Sequence, residues 1–287
     1  MAVTTHDCWS DWLLRRRFGG DPDVERLYME HLRATRDRVL DQASLVAGEA
    51  LLDVGCGDGL IAFGALERGA GRVIFSDVSE DLLEESKRLV AELGVADRCR
   101  FVVAAADDLS PLDDGSVAVV TTRSVLIYVD NKARAFREFY RVLQPGGRVS
   151  LFEPINRLNR FGDAYDTDDI SELADRVQAV FKSLQPRDSD PMLNFDDRDL
   201  VDMAEAAGFQ RVSLTLEVKA EPPEPMRWEA YANAAWNPKI PSVREVMEQV
   251  LTPGEQERYE AHMRPLVEAG RGRRRMASAY LVAVKEE

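Results

Sequence analysis

An apolar run, Leu51, Leu52 and Val54, ends in Gly55-Cys56-Gly57-Asp58-Gly59, with Asp53 inside it and a helical pattern starting at Leu60. Alternating glycines let the backbone take positive φ and approach a ligand with no Cβ in the way. A buried parallel strand, a tight loop and a helix N-terminus, in that order, offer backbone N–H groups and the positive end of a helix dipole to a negatively charged group. A second acid, Asp77, ends the next apolar run, Arg72-Val73-Ile74-Phe75-Ser76. A carboxylate at that strand tip accepts hydrogen bonds from ribose hydroxyls, of a dinucleotide or of an adenosyl ligand. Later strand-like runs end at Asp107, Arg123 and Glu153. In an open parallel sheet these tips share one edge, where ligands bind. There Glu153 is a candidate general base or hydrogen-bonding group. Arg123 is a candidate clamp for a carboxylate, the alternative being a structural pairing with Asp53 or Glu153.

The glycine spacing separates the two ligand classes. A dinucleotide loop needs Gly-x-Gly-x-x-Gly, with room for a pyrophosphate. Here the pattern is Asp-x-Gly-x-Gly-x-Gly, which resembles the first motif of the class I S-adenosylmethionine-dependent methyltransferases. The resemblance continues through Glu153: FVVAAADDL from Phe101, the strand Val117–Thr121, and the turn Arg141-Val142-Leu143-Gln144-Pro145-Gly146-Gly147-Arg148 follow in the family's order. The Pro-Gly-Gly turn is similar to that of the small-molecule, ubiquinone-biosynthesis-like branch. The resemblance implies an α/β fold, a doubly wound seven-stranded Rossmann-like sheet whose last strand runs antiparallel beside the fifth. It implies methyl transfer from S-adenosyl-L-methionine, leaving S-adenosyl-L-homocysteine. Carried over residue by residue, the cofactor contacts are Asp53, Gly55, Cys56, Gly57, Asp77, Val78, Ala106, Asp107 and Arg123. The family's adenine-reading acid stands where this chain has Ala105, so that role passes to Asp107, with backbone at Ala106. Glu153 and Arg123 are the residues expected at the chemistry, and Tyr28, Asn156, Arg157 and Trp228 at the acceptor.

Elements must position these groups. Trp9, Trp12, Leu13 and Leu14 have helical spacing over Cys8–Arg17 and stop at Gly19-Gly20. Asp21-Pro22 reads as a cap with proline in the first turn, opening a helix to about Leu45 whose inward stripe includes Val24, Leu27, Tyr28, His31, Val39 and Leu40. In the related enzymes such N-terminal helices close over the cofactor, which adds His6 and His31 to the pocket candidates. Amphipathic helices are expected at Glu80–Gly94, Lys132–Leu143 and Asp197–Gly208, and strands at Arg100–Val103, Arg148–Phe152, Phe209–Lys219 and Met276–Val284. The expected domains are a helical cap over 1–47 and a methyltransferase domain over 48–287. That domain carries insertions at about 157–195, with Arg157, Arg160, Phe161 and Tyr165, and at about 220–272, with Trp228, Tyr231 and Trp236. A plain fold needs only short links at those places, so the insertions are expected to form a lid that selects the acceptor. Their aromatics either line the acceptor pocket or pack the insertion.

Composition narrows the partners. At 287 residues and 45% hydrophobic the chain can bury a sizeable core, and its net charge of −14 lacks the basic footprint of a nucleic-acid binder. The run RGRRR at Arg271–Arg275 is short and reads as a solvated turn. Apolar runs fall short of the ~20 residues that span a bilayer, and MAVTTHDCWSDW has neither the basic start nor the apolar core of a signal peptide, so a cytoplasmic protein is expected. Cys8, Cys56 and Cys99 have neither disulfide nor metal-ligand spacing, and no metal is expected. The reading is methyl transfer to a small organic acceptor on oxygen, nitrogen or carbon. The alternatives are a methyltransferase of protein or RNA, and a non-catalytic S-adenosylmethionine-binding protein.

Overall fold

The computed structural model describes residues 7–159 and 164–287; His6, Arg160 and Phe161 lie outside them. A short helix α1 (Cys8–Asp11) runs into a π-helical turn at Trp12–Arg16, and α2 covers Pro22–Gln42. Strand β1 (Ala50–Val54) is followed by α3 (Leu60–Glu67), β2 (Arg72–Asp77), α4 (Glu80–Glu92), β3 (Cys99–Val103) and β4 (Val117–Arg123). Then come α5 (Lys132–Val142), β5 (Leu143–Pro154), α6 (Ser171–Leu184), α7 (Asp197–Ala207) and β6 (Arg211–Glu221). The chain closes with α8 (Trp228–Asn233), α9 (Val243–Val250), α10 (Pro253–Glu268) and β7 (Arg274–Val284).

The seven strands form one sheet in the order β3-β2-β1-β4-β5-β7-β6. Pairing is parallel from β3 through β5 and antiparallel between β5 and β7, as expected for this fold class. The chain winds outward from β1 to β3 and then returns to the other side of β1. That reversal leaves a crevice at the carboxyl ends of β1 and β4, the position where open α/β sheets take their ligands. Strand β5 starts earlier than its apolar run, because Pro145-Gly146-Gly147 is absorbed into it as an irregularity: β4 pairs Val117 with Leu143, then Val119 with Arg148.

By contacts the chain divides into two compact units. The sheet unit comprises Glu30–Ile155, Phe195–Glu217 and Ser278–Glu287. Its core is built on Leu51, Val73, Phe75 and Val119 of the central strands, covered by Leu40, Ile61 and Leu83. After their first residues, Ala50 and Arg72, successive residues of β1 and β2 are buried on both faces, because helices cover both faces of a parallel sheet. The helical unit comprises Met1–Met29, Asn156–Asn194 and Val218–Ala277. Its own core gathers Leu173 and Val177 of α6, Trp228 of α8, Val246 and Met247 of α9, and Tyr259 and Met263 of α10. By contacts, α2 is divided between the two units after Met29.

The expected inward stripe of α2 is buried only at its C-terminal end: Val39 and Leu40 have no exposed surface, whereas Leu27 is 37% exposed and His31 is exposed. The cap at its start is as expected. Asp21 Oδ1 accepts from the N–H of Asp23 at 2.9 Å and of Val24 at 3.3 Å, while Oδ2 accepts from Arg227 at 2.6 Å. That guanidinium, followed by the backbone donors, holds the Asp21 carboxyl down to about 2. Replacing Asp21 with Ala leaves the helix N-terminus uncapped and should lower unfolding free energy by roughly 0.5–2 kcal/mol at neutral pH. The loss should shrink as pH falls from about 4 toward 2, where the parent carboxyl is itself protonated. Urea denaturation of parent and variant at neutral pH checks this; equal midpoints would contradict it.

Candidate cofactor site at the carboxyl edge of the sheet

The glycine loop is held from both sides by backbone and carboxylate bonds. Gly55, Gly57 and Gly59 have φ of +63°, +55° and +78°. The Cys56 N–H donates to the Ser76 carbonyl at 3.0 Å, and the Gly57 N–H donates to Asp77 Oδ2 at 2.8 Å. The other oxygen of Asp77 accepts from the Ser79 N–H at 2.9 Å, so this acid fastens the tip of β2 to the loop after β1. Each carboxylate oxygen can accept more than one hydrogen bond, which leaves Asp77 capacity for a diol. Beside it Val78 is 50% exposed, and the Ala104 N–H reaches back to the Asp77 carbonyl at 3.0 Å. That bond fixes the loop carrying Ala106, which is buried, and Asp107, which is half-buried. It is Asp108, not Asp107, that caps the local turn, accepting from the Ser110 N–H at 3.3 Å.

Asp53 has a different surrounding from the one its place in the motif suggests. Its side chain is 2% exposed; Oδ2 accepts from the Ala62 N–H in the first turn of α3 at 3.1 Å, and Oδ1 from the Thr121 hydroxyl on β4 at 2.9 Å. Burial pushes this carboxyl up to about 7 against the pull of those two donors and of the Arg123 charge. Cys56 is buried beneath the loop, and burial raises its thiol well above the ordinary range, which leaves it a small packing residue. Arg123 ends β4 half-buried, and its guanidinium makes no hydrogen bond or ion pair with a described residue. Its charge acts on Asp53 without contact, so neither structural pairing is formed.

Glu153, expected as a base or orienting group, is fully buried at the end of β5. Oε1 accepts from the N–H of Val125 at 2.9 Å and of Leu126 at 3.0 Å, and Oε2 from that of Ile127 at 3.3 Å. Burial pushes it up to about 7, opposed by those three donors and by the Lys132 charge. A group this enclosed, with both oxygens engaged by backbone, is not presented to a substrate. Residues that sequence spacing did not single out complete the edge: Thr121 under Asp53, Ser124 with a positive φ of 57°, and Val125 against Gly55.

The four residues expected at the acceptor all belong to the helical unit. Tyr28 is half-buried and packs against Phe18, ring centroids 5.7 Å apart. Arg157 is exposed, and Asn156 is buried with its side-chain oxygen accepting from the Asn159 amide at 3.0 Å. Trp228 has no exposed surface and sits in that unit's core. Among the described residues no group of three or more His, Cys, Asp or Glu could hold a metal ion, and no helix is long and apolar enough to cross a membrane.

Asp53 offers a direct check of this electrostatic picture. A carboxyl raised to about 7 in the fold binds more protons folded than unfolded, so its contribution to stability is complete below about pH 4 and lost as pH rises through about 7. Asp53→Asn, neutral throughout, should remove that slope, worth on the order of 4 kcal/mol for a carboxyl raised to about 7. Urea denaturation in steps between about pH 4 and pH 7 reads it; parallel pH profiles for parent and variant would contradict it.

Comparison with known proteins agrees with this geometry. A family model described as a methyltransferase domain matches residues 52–151, from β1 to β5. The ubiquinone/menaquinone biosynthesis C-methyltransferase UbiE of Idiomarina loihiensis is 30% identical over 179 residues, 60% of this chain and 71% of that protein. The enzyme of the same name from Stutzerimonas stutzeri is 34% identical over 179 residues, 58% of this chain and 67% of that one. Among solved structures, the YcgJ protein of Bacillus subtilis superposes with a TM-score of 0.55 at 17% identity, covering 88% of this chain and 99% of that one. Geranyl diphosphate methyltransferase in complex with S-adenosylmethionine gives 0.52 at 20% identity, covering 93% and 94%. These two likenesses concern the fold, whereas the UbiE enzymes are relatives in sequence. With its glycine loop, its strand order and these relatives, the chain belongs to the class I S-adenosylmethionine-dependent methyltransferases, in their ubiquinone-biosynthesis-like branch.

Proposed function

We propose that this methyltransferase acts on a small organic acceptor and holds its cofactor at the carboxyl ends of β1, β2 and β4. The observation that carries the cofactor assignment is the bond from the Gly57 N–H to Asp77, which makes the ribose-binding acid and the glycine loop one rigid unit. When bound, S-adenosylmethionine supplies a methyl carbon made electrophilic by its sulfonium. In this reading the backbone of Gly55, Cys56 and Gly57 faces the amino-acid portion, and Asp77 accepts from the ribose hydroxyls. Val78, Ala106 and Asp107 take the adenine. Arg123, a cation with no partner among the described residues, takes the methionine carboxylate. Asp53 acts one step back, keeping α3 and β4 in place beneath the loop.

Two facts support a small organic acceptor. The sequence relatives are named for C-methylation in quinone synthesis. The chain's net charge of −14 opposes binding of nucleic acid. Of the four residues expected at the acceptor, Tyr28 and Arg157 keep accessible surface, whereas Trp228 and Asn156 are buried. Catalysis of this transfer is chiefly positioning: acceptor atom, methyl carbon and sulfur must lie in line, and water must be kept away.

Calorimetric titration separates the cofactor roles. Asp77→Ala should weaken both S-adenosylhomocysteine and 5′-methylthioadenosine by about 1–3 kcal/mol, since both carry the ribose. Arg123→Ala should weaken S-adenosylhomocysteine and spare 5′-methylthioadenosine, which lacks the carboxylate. Unchanged affinities in Asp77→Ala would contradict the ribose assignment, and equal loss for both ligands in Arg123→Ala would contradict the carboxylate clamp.

A further inference from the structure

The loop after β4 meets the glycine loop where Val125 packs on Gly55. Gly55 has φ +63°, and a Cβ built on it would lie 2.3 Å from Cγ2 of Val125, so the Val125 side chain rests directly on the Gly55 backbone. What sets the height of Val125 is the turn that carries it. The chain leaves β4 through Ser124, whose φ is 57° and whose N–H donates to the Phe152 carbonyl at 2.8 Å. The next three amides, of Val125, Leu126 and Ile127, then converge on the carboxylate of Glu153. Leu126 and Ile127 are themselves buried and begin a 3-10 turn, so without that carboxylate their N–H groups would have no partner at the turn's N-terminus.

We infer that Glu153 is a positioning residue for the cofactor: an anion supplied by β5 that fixes the Val125–Ile127 turn and, through Val125, the backbone of Gly55. It rests on the reading that the glycine loop holds S-adenosylmethionine. No proton moves and no bond to substrate forms at Glu153. Its carboxylate fills the site that three converging backbone donors create, as an external anion does at a helix N-terminus or a nest of N–H groups. A carboxamide cannot replace it, because one of its two ends would present N–H to a donor.

The experiment is titration of the full-length chain and its variants with S-adenosylhomocysteine at a pH well above 7, where the raised Glu153 carboxyl is ionised, alongside thermal unfolding. Glu153→Gln should weaken S-adenosylhomocysteine by roughly tenfold, and Val125→Ala, which leaves the carboxylate untouched, should weaken it similarly. Since both act through one contact, the double variant should lose little more than either alone. A Glu153→Gln chain that binds like the parent, whether or not its melting temperature changes, overturns the inference. Additive losses overturn the route through Val125. If Glu153→Gln does not fold, Val125→Ala decides: parent-like affinity there overturns the inference. A parent chain that binds no S-adenosylhomocysteine would instead overturn the cofactor reading on which it rests.

Discussion

Three carboxylates stand at the carboxyl edge of the sheet with almost no access to water, and backbone N–H donors hold each one there. Asp77 engages Gly57 and Ser79, Asp53 engages Ala62, and Glu153 engages Val125, Leu126 and Ile127. Removing a carboxylate from water is costly unless hydrogen bonds replace its hydration. Here the replacement donors belong to the loops that follow β1, β2 and β4, and to the start of α3. The same requirement that satisfies the acids therefore shapes the loops around the ligand edge.

Strand order explains why this happens at one place. Because β4 returns beside β1, the loops after these two strands diverge and leave a crevice between them. There Gly55 and Val125 meet in a contact that tolerates no side chain on residue 55. Thr121 on β4 reaches the β1 acid Asp53, and Ser124 bonds to Phe152 on β5, so the three strands are locked to one another where the ligand edge begins. The two raised carboxyls, Asp53 and Glu153, sit behind this edge, while Asp77 and Arg123 remain at its face.

The parts of this arrangement that are local in sequence were legible there. The glycine loop, Asp77 at the end of its strand and the Pro-Gly-Gly turn each announce themselves within a few residues, and the strand order follows from the family those motifs resemble. The environments of Glu153 and Asp53 were not legible, because their donors come from elements distant in sequence, Ala62 of α3 and Thr121 of β4 for Asp53 and the turn after β4 for Glu153, which depends on a positive φ at Ser124, a residue type with no strong preference for it. Helix α8 went unseen because six residues carry too little periodicity to separate helix from loop. Trp228 illustrates a further gap: an aromatic in an insertion reads equally well as a ligand contact or as core, and only its complete burial separates the two. The stripe assigned to α2 was too long: Leu27 and His31 are exposed while Val39 and Leu40 are buried, so periodicity alone overstated what is buried.

The central claim is that this edge takes an adenosyl ligand with an amino-acid tail and not a dinucleotide. Titration of the unaltered full-length chain, freed of bound cofactor, with S-adenosylhomocysteine and in parallel with NAD tests it most directly. Saturable, one-to-one heat is expected for S-adenosylhomocysteine and none for NAD. Binding of NAD without binding of S-adenosylhomocysteine would contradict it.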